Sequence, residues 1–164
     1  MLVVQHLLQC TKSQDRGEGM KYGTLAQAKM YNDKGKIDEW LQLFLRNDGK
    51  NIALADGLLL EERKYLGLIK LNISFLKDVK EGTPEYLFKE NDIEYFFWIV
   101  ENMKSSLNGW DVPPLIVEFR DGGFYVNDGR HRLEMFRQLG VEVIDAVVWT
   151  TGEEDFNKLV EVLG

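Results

Sequence analysis

The sequence predicts an α+β protein in which helices pack on a small mixed β-sheet, preceded by an N-terminal helical segment. Apolar residues recur at helical spacing early in the chain, which predicts helices there. Later, short β-branched or apolar runs alternate with helical patterns, which predicts a sheet covered by helices. The 164 residues suffice for one domain with a modest attachment, and we divide the chain into segments 1–57 and 58–164.

The N-terminal segment combines a loop with a helical part. Residues 11–23 are rich in glycine and polar residues, which predicts a mobile loop. Helical spacing starts at Leu25 and ends at Asn47-Asp48-Gly49, and Gly35 interrupts it, so two helices or one kinked helix would fit. The apolar stripe of this part consists of Ile37, Trp40, Leu41, Phe44 and Leu45. Asp56-Gly57 then predicts a turn.

The first half of the second segment predicts a strand and a helix. The strand is expected at residues 66–71, followed by a short helix or loop over residues 72–85. Asp92 is a suitable N-cap for a helix that runs to about Met103. The buried side of this helix is predicted to consist of Ile93, Phe96, Phe97 and Val100.

The second half predicts three strands and two helices. Strands are expected at residues 115–119 and 124–126, on either side of turn-forming residues 120–123, and at residues 141–149. A helix between the last two strands ends at Gly140, and its apolar face is Leu133, Phe136 and Leu139. The apolar face of the final helix is predicted to be Phe156, Leu159, Val160 and Leu163.

The stretch from Asp128 to Arg132 is the part of the sequence that most indicates a functional site. Asp128 is a preferred N-cap type, and Gly129 allows another group to approach the backbone closely. Arg130, His131 and Arg132 then place cationic or titratable side chains in the first helical turn, where the helix dipole disfavours positive charge. Free amides and cations together suit an anion, above all a phosphate, although a simple helix cap with solvated side chains would give the same pattern.

With its flanking strands and helix, this motif resembles the ParB/sulfiredoxin superfamily over about residues 65–150. The resemblance implies a fold in which a strand, a glycine turn and a helix N-terminus hold nucleotide phosphates. Members include ParB partition proteins, which use CTP, sulfiredoxins, which use ATP, and a free serine kinase, which uses ADP. It therefore implies that Gly129, Arg130, His131 and Arg132 bind a nucleotide (ATP, ADP or CTP), with Mg²⁺ as a candidate cofactor.

The sequence differs from each of these relatives, and the differences show which of them its motif resembles most. Sulfiredoxins carry a catalytic cysteine directly before the His-Arg pair, where this chain has Arg130, and its single cysteine is Cys10. ParB proteins continue into a helix-turn-helix region that this sequence does not show. The free serine kinase motif, Asp-Gly-His-His-Arg, is the most similar. That resemblance implies a catalytic role for Asp128 toward an acceptor hydroxyl, and we assign its upstream carboxylate to Glu85.

Three functions follow as hypotheses. The leading one is a nucleotide-binding domain that acts as a phosphotransferase on a small acceptor, a role to which the Asp128–Arg132 cluster is chemically suited. The second is a non-catalytic ParB-like module that responds to nucleotide or associates with DNA. A metal-dependent nuclease ranks last, because the sequence shows no clear carboxylate cluster and no identifiable metal ligands.

Composition limits the partners and the location. A net charge of −7 and a pI near 4.9 argue against specific nucleic-acid binding, since affinity for a phosphate backbone comes from a cationic face. No apolar run is long enough to cross a bilayer. A single cysteine excludes an internal disulfide framework and fits a reducing compartment, so we expect a cytoplasmic protein.

Overall fold

Four strands form one mixed sheet in the computed structural model, which describes residues 22–76 and 90–164. In chain order the described elements are α1 (Leu25–Asp33), α2 (Ile37–Arg46), α3 (Ile52–Leu58), β1 (Lys64–Asn72), a 3-10 turn (Ile73–Phe75), α4 (Glu90–Ser105), β2 (Leu115–Arg120), β3 (Gly123–Asp128), α5 (Arg130–Gln138), β4 (Val143–Thr150) and α6 (Glu153–Leu163). The strand order is β1-β4-β2-β3. The prediction of an α+β fold with a small mixed sheet is confirmed.

A tight hairpin and a crossover position the motif. β2 and β3 pair antiparallel around Asp121 and Gly122, whose φ values of +49° and +77° are typical of a two-residue hairpin turn. β3 runs out to Asp128, opposite Ile116 of β2. The chain then enters α5, which is the crossover that lets β4 pair parallel to β2. The motif therefore lies where an edge strand turns into a crossover helix.

Helices cover both faces of the sheet and produce two hydrophobic cores. Ala146 and Val148 of β4 lie in one core with residues of α4, α5 and α6. Val147 and Trp149, which alternate with them, lie in the other core with residues of α1, α2 and α3. The described N-terminal helices therefore pack directly on the sheet.

The N-terminal helices differ in one respect from the sequence prediction. Gly35, with φ of +68°, separates α1 from α2, so the two-helix alternative is correct. Residues 52–58 form α3, so the prediction of a turn at Asp56-Gly57 is wrong. The helix forms because the Asn51 side chain caps it by accepting the Leu54 N–H, and because Ala55 and Leu58 are buried in the core.

The other elements lie close to their predicted positions, with differences in burial. The prediction that Asp92 is the N-cap of α4 is wrong, because the helix already begins at Glu90. The contact stripes are narrower than the apolar patterns, so four residues predicted on buried faces are exposed: Ile93, Leu139, Val160 and Leu163. Residues 11–21 of the loop predicted at 11–23, and residues 77–85 of the helix or loop predicted at 72–85, lie outside the described residues. Among the helices of the described ranges, none combines the length and hydropathy needed to cross a membrane.

Candidate functional site

The turn between β3 and α5 requires a glycine. Gly129 is the N-cap of α5 and has left-handed backbone angles, φ 104° and ψ 25°. A Cβ atom on it would lie 2.5 Å from Cδ2 of Leu115 and 2.6 Å from Nη2 of Arg132, far inside normal contact distance. The prediction that Asp128 is the N-cap is wrong, because β3 continues through Asp128 and its carboxylate is turned to other partners.

The first turn of α5 offers backbone N–H groups. Among the described residues no side chain caps this end, and the first turn contains no acidic residue. Leu133 N–H donates to the Gly129 carbonyl at 2.9 Å, which is the start of the helical hydrogen-bond pattern. The earlier amides, from Arg130 to Arg132, therefore lie at the positive end of the helix dipole without a side-chain acceptor.

Arg132 is the buried centre of the motif. It is only 7% exposed, and its Nη2 donates to the Pro114 carbonyl and to Oδ2 of Asp128, each at 3.2 Å. Its guanidinium carbon lies 5.9 Å from the ring centre of Phe44 in α2. Its Nε atom is buried and has no hydrogen-bond partner among the described residues. A buried charge is costly unless it is paired, so Asp128 and Arg132 depend on each other.

Asp128 uses both carboxylate oxygens within the protein. Oδ2 contacts Arg132, and Oδ1 accepts a hydrogen bond from Nδ2 of Asn51 at 3.0 Å. Asn51 was not predicted as part of the site. The capping pattern before α3 could have identified it as an N-cap, but a contact across 77 residues leaves no local signal in the sequence.

His131 is packed against an aromatic ring and is neutral at physiological pH. Its imidazole stacks on Phe96 of α4, with ring centres 4.4 Å apart and an interplanar angle of 28°. Burial, reinforced by the charge of Arg132, lowers the pKa of His131 from 6.5 to about 4. At neutral pH His131 can therefore offer a ring N–H but no charge.

Arg130 is the cation of the motif that the fold leaves available. It occupies the first position of α5 and is half-buried. Within the described parts of the chain it forms no ion pair and no side-chain hydrogen bond. Its charge is not neutralised by the described residues, so it could serve an incoming anion.

A cavity of about 230 Å³ lies between the start of α5 and the loop that joins α2 to α3. The residues around it are Gly23, Phe44, Asp48, Gly49, Met103, Trp110, Pro113, Asp128, Gly129, His131 and Arg132. The sequence predicts Asp48 as part of a helix end, and no local pattern connects it with the motif. The cavity therefore joins residues from both segments of the chain.

Asp48 brings a second carboxylate to this cavity. Its Oδ2 accepts the Gly23 N–H at 2.8 Å, whereas Oδ1 is buried without a partner among the described residues. Burial raises the pKa of Asp48, and the Gly23 hydrogen bond only partly opposes this. Asp48 is thus a carboxylate with spare hydrogen-bonding capacity beside Asp128 and Arg132.

A larger groove of about 790 Å³ has the opposite electrostatic character. It lies along α2 and the connection from α3 to β1, and its lining includes the carboxylates of Asp38, Glu39, Glu61 and Glu62. Its one arginine, Arg63, is already engaged with Glu61 at 3.0 Å. These carboxylates would repel a phosphate, so the larger volume does not favour this groove for an anion.

Two further predictions concern residues beyond the motif. Glu85, the predicted upstream carboxylate, lies outside the described residues. Within residues 22–76 and 90–164, no group of three or more histidine, cysteine, aspartate or glutamate side chains is arranged to hold a metal ion. Asp48 and Asp128 are the carboxylates that the described structure brings to the cavity of the motif.

No family model matches the chain, and no curated protein matches it in sequence. Among solved structures it is similar to sulfiredoxin from Arabidopsis thaliana, with 20% identity and a TM-score of 0.38, over 55% of this chain and 92% of that one. It is also similar to the pNOB8-like ParB N-domain, with 21% identity and a TM-score of 0.35, over 58% of this chain and 31% of that one. The match thus spans about a third of the ParB chain. Both proteins are of the kinds that the motif resembles, and at these values the likeness concerns the fold alone.

Proposed function

We propose that the protein binds the phosphate groups of a nucleotide at the N-terminus of α5. The observation that carries the proposal is the Gly129 turn: this N-cap residue has no side chain, and among the described residues the first amides of α5 lack a side-chain cap. A second observation supports it: the buried Arg132 guanidinium packs against that same turn. Uncapped amides, a helix dipole and nearby cations together favour a bound anion.

The charges suggest separate roles for the three basic residues. Arg130 has no ion-pair partner among the described residues. It is not part of the cavity lining but lies between Gly129 and His131, which are, so it would neutralise ligand charge from beside the cavity. Arg132 is paired with Asp128, so it would organise the turn and add a favourable field. His131 is neutral at physiological pH and would contribute a hydrogen bond. The proposal thus keeps all four predicted residues, Gly129 to Arg132, and gives each of the three side chains a separate role.

The size of the cavity suggests how a nucleotide would lie. At about 230 Å³ the cavity is smaller than the roughly 300–1,000 Å³ typical of pockets for drug-sized ligands. It would therefore enclose the phosphate end, together with a small acceptor group, and leave the nucleoside outside. ATP, ADP and CTP share this phosphate end, so the cavity favours none of them.

Phosphoryl transfer to a small acceptor is the reaction that would use the carboxylates of this cavity. Such transfer depends mainly on positioning and on stabilisation of charge, and it needs a group to receive the proton of the acceptor. Asp128 is the carboxylate implied by the motif, and Asp48 is the one with an unpartnered oxygen. Asp48, with its unpartnered oxygen, fits Mg²⁺, which takes one or two carboxylates together with phosphate oxygens and would neutralise charge on the ligand, whereas both oxygens of Asp128 are already engaged. Glu85 keeps the same role as a proposal from the resemblance.

A non-catalytic module that responds to nucleotide is the second candidate. The observation that favours it is that both oxygens of Asp128 are held, one by Asn51 and one by Arg132. In that arrangement the motif carboxylate is structural, and a bound nucleotide would change protein contacts without reaction. Association with DNA belongs to this candidate, but the net charge of −7 opposes it.

A ligand screen followed by a turnover assay tests the proposal. Melting temperature would be measured with ATP, ADP, CTP and GTP, with and without Mg²⁺, for the wild type, Arg130→Gln and the control Arg137→Gln. Because a ligand that binds only the folded state raises stability, we expect a nucleotide-dependent rise that Arg130→Gln reduces and Arg137→Gln leaves unchanged. Product formation on addition of small hydroxyl compounds would support transfer, and binding without turnover would support the module. The absence of a melting-temperature shift with any nucleotide would contradict both the phosphotransferase and the nucleotide-responsive module. In a separate gel assay, tight retardation of a DNA duplex at about 0.15 M salt would favour the DNA-associated form.

A further inference from the structure

The loop between α2 and α3, residues 47–51, reaches across the molecule to the motif. Asn51 Nδ2 donates to Oδ1 of Asp128 at 3.0 Å. The other oxygen of Asp128 contacts Nη2 of Arg132, which also donates to the Pro114 carbonyl. A continuous chain of hydrogen bonds thus joins Asn51, Asp128 and Arg132, and it ends beneath the Gly129 turn.

Asn51 is itself held firmly. Its Oδ1 accepts the Leu54 N–H at 3.2 Å as the N-cap of α3. α3 is anchored in the core through Ala55 and Leu58. Both ends of the Asn51 amide are therefore engaged, one in the cap and one on Asp128. The position of the Asp128 carboxylate is set by a helix that precedes the whole sheet in sequence.

This contact matters because Asp128 lies beside the proposed anion site. A carboxylate near a bound phosphate repels it unless its charge is directed elsewhere. Asn51 and Arg132 hold the two oxygens of Asp128, so the negative charge of Asp128 stays directed toward Arg132. If the Asn51 contact were lost, one oxygen would be free to rotate toward the ligand, and Arg132 would be held less firmly.

We infer that Asn51 is a positioning residue of the phosphate site, so that the N-terminal segment supports that site through the contact with Asp128. The inference rests on the proposed function, because its effect is measured on a phosphate ligand. It assigns a specific task to the contact with Asp128, separate from the capping of α3. Substitutions at Asn51 can separate these two tasks.

The first test uses Asn51→Ser. Serine caps a helix about as well as asparagine, but its short side chain does not reach Asp128 in the way that Nδ2 does. Calorimetric titration with inorganic pyrophosphate, the part shared by ATP, ADP and CTP, would compare the wild type, Asn51→Ser and Asn72→Ala. Asn72 caps the 3-10 turn after β1 through the Ser74 N–H, so its substitution controls for the loss of a cap elsewhere. We expect about tenfold weaker binding for Asn51→Ser, because a hydrogen bond to a charged group is lost, and no change for Asn72→Ala.

The second test uses the pH profile of Asn51→Asp. This variant keeps the cap but places a carboxyl group against Asp128, where ionisation of both is unfavourable. When the introduced carboxyl group is protonated, it can donate to Asp128 and restore the contact. We therefore expect the ratio of variant to wild-type pyrophosphate affinity to rise toward one as the pH falls from about 7.5 to about 5.5. Arg132, Asp48 and His131 face the same cavity in both proteins, and the ligand is the same, so their own titration largely cancels in the ratio.

The outcomes separate the inference from the proposed function. Binding by the wild type, with weaker binding by Asn51→Ser and recovery of Asn51→Asp in acid, supports both. Binding by the wild type that Asn51→Ser leaves unchanged overturns the inference and leaves the proposed function standing. Weaker binding by Asn51→Asp that stays constant with pH also overturns the inference, because a purely structural defect would behave in that way. Failure of the wild type to bind pyrophosphate or any nucleotide overturns both.

Discussion

Gly129 and Arg132 are packed so closely that the space for a Cβ atom on Gly129 is already taken by the guanidinium group of Arg132. The nearest guanidinium atom would lie 2.6 Å from that Cβ. The turn and the buried arginine are therefore one structural unit. The glycine permits the left-handed turn, and the turn brings the α5 amides next to the charge of Arg132.

Gly129→Ala is expected to destabilise the protein by about 3 kcal/mol or more, because left-handed strain and a steric clash add together. Gly140→Ala is the matched control. Gly140 also has a positive φ, +71°, but nothing lies within 4 Å of its Cβ position. It should cost only about 1–2 kcal/mol. Urea denaturation measures both, and equal losses would show that the turn has room for a side chain.

Arg132→Ala is expected to cost about 3–5 kcal/mol of stability, because it leaves the Asp128 carboxylate without its charged partner in a largely buried position. Arg46→Ala breaks an exposed ion pair with Asp56, whose N–O distance of 2.8 Å is shorter. That loss should be no more than ~1 kcal/mol. Chemical denaturation measures both losses, and a larger loss of stability in Arg46→Ala than in Arg132→Ala would contradict this expectation.

Stability should fall as the pH drops from about 6.5 toward 4, because of His131. Burial lowers its pKa from 6.5 to about 4, so in this range the unfolded chain binds a proton that the folded protein does not. Over the full range the effect is on the order of 3 kcal/mol. His131→Phe keeps a ring against Phe96 and should remove much of the slope. His6→Gln, at the other histidine of the sequence, serves as the control. A similar loss of slope in His6→Gln would show that the pH dependence does not come from His131.

Asp48→Asn is expected to stabilise the protein at neutral pH. Burial raises the pKa of Asp48, so its ionised form disfavours folding, and this penalty grows as the pH rises from about 3.8 through the folded pKa. An asparagine oxygen can still accept the Gly23 N–H. The gain should be no more than ~1 kcal/mol, because the carboxyl group is only partly buried and solvent screens its charge. Thermal unfolding at pH 7 would contradict this if Asp48→Asn melted below the wild type. Glu142→Gln, at an exposed position, controls for a general effect of charge removal.

The sequence predicts the elements of the sheet well because their patterns are local. The run before Arg120, the turn at Asp121-Gly122 and the helix up to Gly140 are each encoded by neighbouring residues. Residues 52–58 are different, because a Gly within an Ala- and Leu-rich stretch reads as a turn unless the Asn51 cap and the burial of Leu58 are known. Local patterns identify elements, but burial is decided by partners elsewhere in the chain.

The same distinction applies to the site. The motif from Asp128 to Arg132 is contiguous, and its residue types alone indicate an anion site. What the sequence does not reveal is how the charges are used. The pairing of Arg132 with Asp128, the neutral state of His131 on Phe96, and the approach of Asn51 and Asp48 all arise from contacts between distant segments. Because of these contacts, Arg130 is the cation of the motif that the described residues leave without an ion pair, next to a turn that Arg132 supports.

Titration of the ¹⁵N-labelled protein with inorganic pyrophosphate, followed by amide chemical shifts, tests the central claim most directly. A phosphate held at the start of α5 must perturb the N–H groups that bind it. We expect the largest shifts at the amides of Arg130, His131 and Arg132, saturating with one ligand per chain and weakened in Arg130→Gln. Saturable shifts confined to other parts of the molecule, or no shifts at millimolar pyrophosphate, would contradict the assignment of this turn as the phosphate site.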